Sequence, residues 1–155
     1  PSPVWPTMPE VHDTDRPDVG AGYRFSRTHT FDEEQVRAFS LAAGDENPLH
    51  VDATYASTTR FGGLIASATH TTSLLMGLTA THLSPKGSVL GMNFSFDLLR
   101  AVKATESVLL EWVVTSVDFR PKGGLRLGLD GAMRALDGRT LVLAQGHVSF
   151  APRTD

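Results

Sequence analysis

From Leu90 to Phe150 the chain alternates apolar and polar residues, whereas from Asp32 to Leu83 its apolar residues recur at helical spacing, so two kinds of element divide it. Tyr23, Phe25, Arg27 and His29 alternate against polar neighbours and predict a first strand over 23–30. Asp32 with Gln35 three positions on forms a capping-box arrangement that starts a short helix carrying Val36, Phe39 and Ala43 on one side; Gly44 ends it. A helical turn is expected over Ala53–Thr59, and Phe61-Gly62-Gly63 then turns the chain into its longest helix, Leu64 to Leu83. The first half of that helix is built from small residues, which let a sheet or a partner helix approach closely. Its second half brings Leu74, Leu75, Met76 and Leu78, read as core residues. Period two then places Leu90, Met92, Phe94, Phe96 and Leu98 on one strand face. Ser107–Phe119, Leu125–Leu136 and Thr140–Phe150 predict three further strands. Asp137-Gly138 is a hairpin turn between the last two, and Pro121-Lys122-Gly123-Gly124 joins the pair before. A helix-rich segment followed by an antiparallel meander is an α+β domain whose sheet can wrap around the long helix.

Ahead of this pattern, Pro1, Pro3, Pro6, Pro9 and Pro17 rule out a continuous helix, so residues 1–20 are expected as an extended arm that Trp5 and Val11 can pin to a single domain over 21–152. No positively charged segment followed by an apolar run is visible there, and a cytoplasmic location is expected. With 155 residues the chain suits one domain with its own core, and the absence of cysteine removes disulfides, thiolate metal sites and a cysteine nucleophile. Fourteen basic against seventeen acidic residues give a net charge of −3, with no basic cluster to track a phosphate backbone, so no nucleic-acid partner is expected. His70, His82 and seven Ser or Thr residues interrupt the stretch from Leu64 to Leu83, which reads as a buried helix and not as a membrane span.

The densest chemistry lies in Gly44-Asp45-Glu46-Asn47-Pro48-Leu49-His50-Val51-Asp52. A carboxylate and an imidazole five residues apart around a proline can aim at one point and hold a water between them, the arrangement that paired general acid–base catalysis requires. The same residues also suit a turn, with Asp45 capping, Asn47-Pro48 initiating it and His50 as an ordinary loop histidine. Asn47 is read chiefly as a brace for the loop, and Asp52 as the cap of the next helical turn. Asp45, His50 and Asp52 lack the helical histidine spacing or second cluster of a metal site, and no metal is expected. His70 is taken as a hydrogen-bonded core residue; His12, His29, His82 and His147 carry no signal. Ser67 and Ser73 lack a Gly-x-Ser-x-Gly elbow, which disfavours a serine hydrolase.

Gly-Asp-x-Asn-Pro-Leu-His-x-Asp over 44–52, followed by Phe61-Gly62-Gly63-Leu64-Ile65-Ala66, resembles the MaoC-type, or (R)-specific, enoyl-CoA hydratases, from about Tyr23 to Phe150. The resemblance implies a hotdog fold, an antiparallel sheet wrapped around a long central helix. It implies reversible hydration of a trans-2-enoyl-CoA to an (R)-3-hydroxyacyl-CoA, with Asp45 and His50 as the catalytic pair and Asn47, Gly63 and Ala68 bordering the substrate. Family members carry glycine at the position of Ala68, where a backbone N–H points at the thioester oxygen; alanine keeps the N–H and adds a methyl group. No cofactor is implied, since CoA is part of the substrate. A homodimer or higher homo-oligomer joined at sheet edges is. Arg60, Lys86, Arg100, Lys103 and Arg120 are candidates for the CoA nucleotide. The competing readings are a hotdog acyl-CoA thioesterase and a non-catalytic acyl-thioester-binding subunit.

Overall fold

The computed structural model describes residues 19–153, so Trp5, Val11 and the expected proline-rich arm, up to residue 18, lie outside the described residues. Strand β1 (Arg24–Thr30) leads to α1 (Glu33–Ala42), two short helices α2 (Pro48–Val51) and α3 (Ala53–Ser57), and the 16-residue α4 (Ala68–Leu83). A 3₁₀ turn over Ser84–Lys86 then opens β2 (Gly87–Leu98), β3 (Ser107–Phe119), β4 (Leu125–Ala135) and β5 (Thr140–Pro152). All pairings are antiparallel, and the sheet order is β1-β3-β4-β5-β2. This is the expected α+β hotdog layout, with α4 lying across the inner face of the sheet.

Alternation builds that face. Val108, Leu110, Trp112 and Val114 from β3, Leu127, Leu129 and Met133 from β4, and Val142, Ala144, Val148 and Phe150 from β5 form one core with Leu75 and Leu78 of α4. Burying these side chains is worth roughly 1.5–3 kcal/mol for each large one. Trp112 donates its indole N–H to the Leu75 carbonyl at 2.9 Å, fixing helix to sheet where the indole itself is fully buried. Directly across from it in the register stands Gly131, whose absent side chain makes room: a Cβ there would lie 2.5 Å from the indole ring. Of the four apolar residues expected in the core from the second half of α4, Leu75 and Leu78 are buried and Leu74 packs partly, whereas Met76 is 41% exposed.

Two sequence expectations are corrected. The long helix begins at Ala68, not Leu64. Residues 64–67 are instead a buried extended segment, with Ala66 N–H donating to Val102 O at 2.8 Å, Ala104 N–H to Leu64 O at 3.0 Å, and Ile65 bridging to Lys103. These bonds satisfy a backbone that burial would otherwise leave costly. The single apolar face expected for Leu90 to Leu98 is broken by a bulge between Gly91 and Asn93. The extra residue shifts the alternation, so Val89 shares the core-packed face of Phe94 and Phe96 while Leu90 is 69% exposed. Leu98 keeps the alternation of Phe94 and Phe96 but lies at the strand's end in the lining of a cavity, 55% exposed.

Candidate active site

Asp32 caps α1 by accepting from Gln35 N–H at 2.8 Å, and the helix stops where Gly44 takes φ +75°, a conformation L side chains rarely adopt. The turn is held by Asp45 N–H donating to Ser40 O at 2.9 Å and by the buried Ser40 hydroxyl donating back to Asp45 O at 2.5 Å. One oxygen of the Asp45 carboxylate accepts from Asn47 N–H at 3.1 Å. Asn47 caps α2 through its own side chain, which accepts from Leu49 N–H at 3.0 Å, with Pro48 at the first helical position. Arg37 of α1 ties the far end of α2 by donating to Val51 O at 3.0 Å.

These bonds deliver His50, buried, onto the extended segment before α4. Ile65 N–H donates to Leu49 O at 3.1 Å, and His50 Nδ1 meets Ile65 O at 2.8 Å. A carbonyl only accepts, so Nδ1 carries the hydrogen and a neutral His50 presents a lone pair at Nε2. Nε2 stands 3.6 Å from Asp45 Oδ2, the carboxylate oxygen that Asn47 does not use. Two acceptors facing each other at that distance do not bond directly. A water donating one hydrogen to each satisfies both.

His50 lines a cavity of about 330 Å³ whose inner wall is buried Ile65, Ala66, Thr71, Val102 and Val142. Ala68 lines it too, at the first position of α4. Its N–H precedes the helical hydrogen-bond ladder, where the unpaired donors and the helix dipole favour negative charge. Ser67 caps this end, its hydroxyl accepting from His70 N–H at 3.2 Å. Asp45, Asn47 and Gly63 do not line the cavity: Asp45 is half-buried beside His50 Nε2, Asn47 is exposed at the α2 cap, and Gly63 has no atom within 4 Å of where its Cβ would be. Asp52 caps α3 by accepting from Tyr55 N–H at 3.0 Å, the role expected of it. Thr71 and Leu99 line the cavity without having been singled out from sequence, and Phe61, quoted there only within its motif, lines it too. They sit on three separate elements, and nothing local signals their convergence.

The basic candidates separate. Arg60 and Arg100 line the His50 cavity. Lys86 lines a different one with Arg27 and His82 at the opposite end of α4, Arg120 donates to Ser149 at 3.1 Å, and Lys103 lines neither cavity. His70 faces away from the cavity lining, stacked on Phe39 at 4.3 Å and edge-on to Phe31, with its Nδ1 buried and unpartnered. Burial pushes its pKa down to about 4, helped by the neighbouring His29. The other histidines are placed by polar contacts the sequence did not announce: His29 on Gln35, His82 on the Tyr23 hydroxyl, His147 on Asn93. Among the described residues no group of three or more His, Asp or Glu side chains is arranged to hold a metal ion, and no helix is long and apolar enough to cross a membrane.

Residues 15–116 match the family described as MaoC like domain. The chain is 34% identical over 129 residues to an (R)-specific enoyl-CoA hydratase of Aeromonas caviae, a match covering 81% of this chain and 93% of that protein. Its fold is similar to the unliganded R-hydratase of Pseudomonas aeruginosa (TM-score 0.76, 25% identity, covering 86% of this chain and 83% of that one). It is also similar to the structure of an A. caviae (R)-hydratase involved in PHA biosynthesis (TM-score 0.75, 25% identity, covering 84% and 96%).

Proposed function

Because the chain belongs to the MaoC-like domain family, we propose that it is a hydratase adding water reversibly to a trans-2-enoyl-CoA to give an (R)-3-hydroxyacyl-CoA, with Asp45 and His50 activating the water. The observation that carries the mechanism is the 2.8 Å contact of His50 Nδ1 with Ile65 O, which assigns the hydrogen to Nδ1. With Nδ1 committed to Ile65 O, the lone pair of Nε2 and the free oxygen of Asp45 are both acceptors, and they orient one water with its own lone pair toward the cavity. That oxygen attacks C3 of the enoyl group. One of its hydrogens passes to the Asp45–His50 pair, the other stays on the new hydroxyl, and the pair returns the proton it took to C2. Negative charge builds on the thioester oxygen during attack, and the N–H of Ala68 stabilises it, a role supported by its position at the start of α4 in the cavity lining. No cofactor enters this chemistry.

The reverse reaction, dehydration of the 3-hydroxyacyl thioester, uses the same groups. We place the enzyme in the cytoplasm and read it as a homodimer; the dimer is supported by β2, which among the described residues is an edge strand with exposed Leu90 and Met92. Loss of the conjugated thioester absorbance of crotonyl-CoA, read beside a thiol-release assay, tests the activity. Loss of absorbance without thiol release is expected. Thiol release would make the chain a thioesterase, and tight binding of the substrate with no turnover would make it a non-catalytic subunit. Asp45→Asn and His50→Ala are each expected to lower turnover at least about a hundredfold. Retention of full activity in either removes that residue from the mechanism.

A further inference from the structure

We propose that Arg60 and Arg100 together grip the CoA phosphates of the thioester where the carrier leaves the cavity. The proposal rests on the enoyl-thioester reading of the His50 cavity and adds to it which end receives the carrier, and by what groups. Both arginines line that cavity and both are exposed, whereas Ile65, Ala66, Thr71, Val102 and Val142 on its inner wall are buried. An acyl chain therefore has an apolar end to enter, and the carrier has a charged opening to pass.

Both guanidiniums are free for a ligand. Among the described residues, Arg134 pairs with Glu111, and Arg139 with Glu106 and Asp137, while neither Arg60 nor Arg100 has a carboxylate partner. The cavity lining brings no Asp or Glu among the described residues to compensate the two cations. Their placement is also fixed. Arg60 lies over the ring of Phe61 at 4.8 Å, itself a lining residue, and the Arg100 backbone is pinned by its N–H donating to Leu141 O at 3.2 Å, beside Leu99 N–H on the same carbonyl at 2.9 Å. A guanidinium offers a planar fork of donors that matches phosphate two bonds at a time, and two forks suit a ligand bearing several phosphates. CoA carries a diphosphate and a further phosphate on its ribose. A phosphopantetheinyl carrier protein offers one phosphate and would need a wider basic surface, whereas the rest of this rim presents the exposed apolar Leu98 and Leu99.

The test is the double variant Arg60→Gln, Arg100→Gln, assayed with crotonyl-CoA and with crotonyl-N-acetylcysteamine, a thioester without phosphate. For crotonyl-CoA, KM is expected to rise about tenfold or more with kcat changed less than about twofold, and for the phosphate-free ester the shift in KM is expected to stay under about twofold. The KM of the wild type for crotonyl-CoA is expected to climb with salt, and that slope to flatten in the variant. An equal rise for both esters, or none for either, overturns the pair's role. A loss confined to a crotonyl group on a carrier protein overturns the assignment to CoA. Calorimetric titration with free CoA needs no turnover: weaker binding by the variant supports the pair, and unchanged binding overturns it. If the wild type hydrates neither ester, the enoyl-hydration reading fails, while this titration still decides the phosphate grip.

Discussion

His50 shows how one backbone carbonyl sets the chemistry of a side chain. Ile65 O, fifteen positions along the chain, takes the Nδ1 hydrogen and leaves Nε2 to face Asp45. The five-residue spacing of Asp45 and His50 is readable from sequence because the intervening Asn47 and Pro48 are turn formers. The tautomer is not, because its determinant arrives from a distant segment. His70 is the contrasting case, a buried histidine without a partner for Nδ1. With its pKa lowered from 6.5 to about 4, the folded state binds fewer protons than the unfolded one as pH falls. Above pH 6.5 it has no effect on stability; between 6.5 and 4 stability is progressively lost, up to about 3 kcal/mol, and below 4 the loss is complete. Replacing His70 with Leu should flatten that part of the profile. Urea melts at pH 7 and pH 4.5 check it: parallel losses in wild type and His70→Leu would assign the acid sensitivity elsewhere.

At the scale of elements, the cavity depends on where α4 begins. Periodicity alone carries the helix back to Leu64, since Leu64, Ile65 and Ala66 are as apolar as the residues that follow. What stops it is non-local: Leu64 and Ala66 exchange backbone hydrogen bonds with Ala104 and Val102, and the helix starts only past that pairing, at Ala68 after the Ser67 cap. The bulge at Met92 is hidden for the same reason, because register is set by the partner strand β5 and not by the alternation of β2 itself. Strand order and the choice of Arg60 and Arg100 among five basic candidates likewise need the packed sheet. The helix start is the point at which fold and activity meet. Ser67→Ala removes the hydroxyl that accepts from His70 N–H and should cost about 1 kcal/mol of stability, lowering the melting temperature by a few degrees. Because the same turn positions the Ala68 N–H, kcat should fall more than KM rises. A stability loss with unchanged kcat would show that the cap acts on the fold alone.

At the scale of the molecule, the described residues leave the sheet with two edge strands, β1 and β2, and they are not alike. β1 carries Arg24, Ser26, Arg27, Thr28 and Thr30, a polar edge of the kind that discourages strand addition. β2 instead presents Leu90 at 69% and Met92 at 42% exposure, and its last residue, Leu98, with the following Leu99, forms part of the cavity wall. Apolar surface left on an unpaired edge is a cost that a second copy, meeting it about a two-fold axis, turns into burial. Under that arrangement the exposed leucines of the cavity wall lie against or near the partner, so association and substrate binding are coupled. Leu90→Lys with Met92→Lys changes the edge without touching a residue that lines the cavity. Each lysine would then face its symmetry mate or the partner's apolar edge, and charge desolvated there disfavours association strongly. The expected result is a fall in sedimentation mass from dimer to monomer, with KM for crotonyl-CoA rising as the cavity wall opens to solvent. A variant that sediments as a dimer would move the interface away from β2, and a monomer with unaltered KM would uncouple assembly from the site.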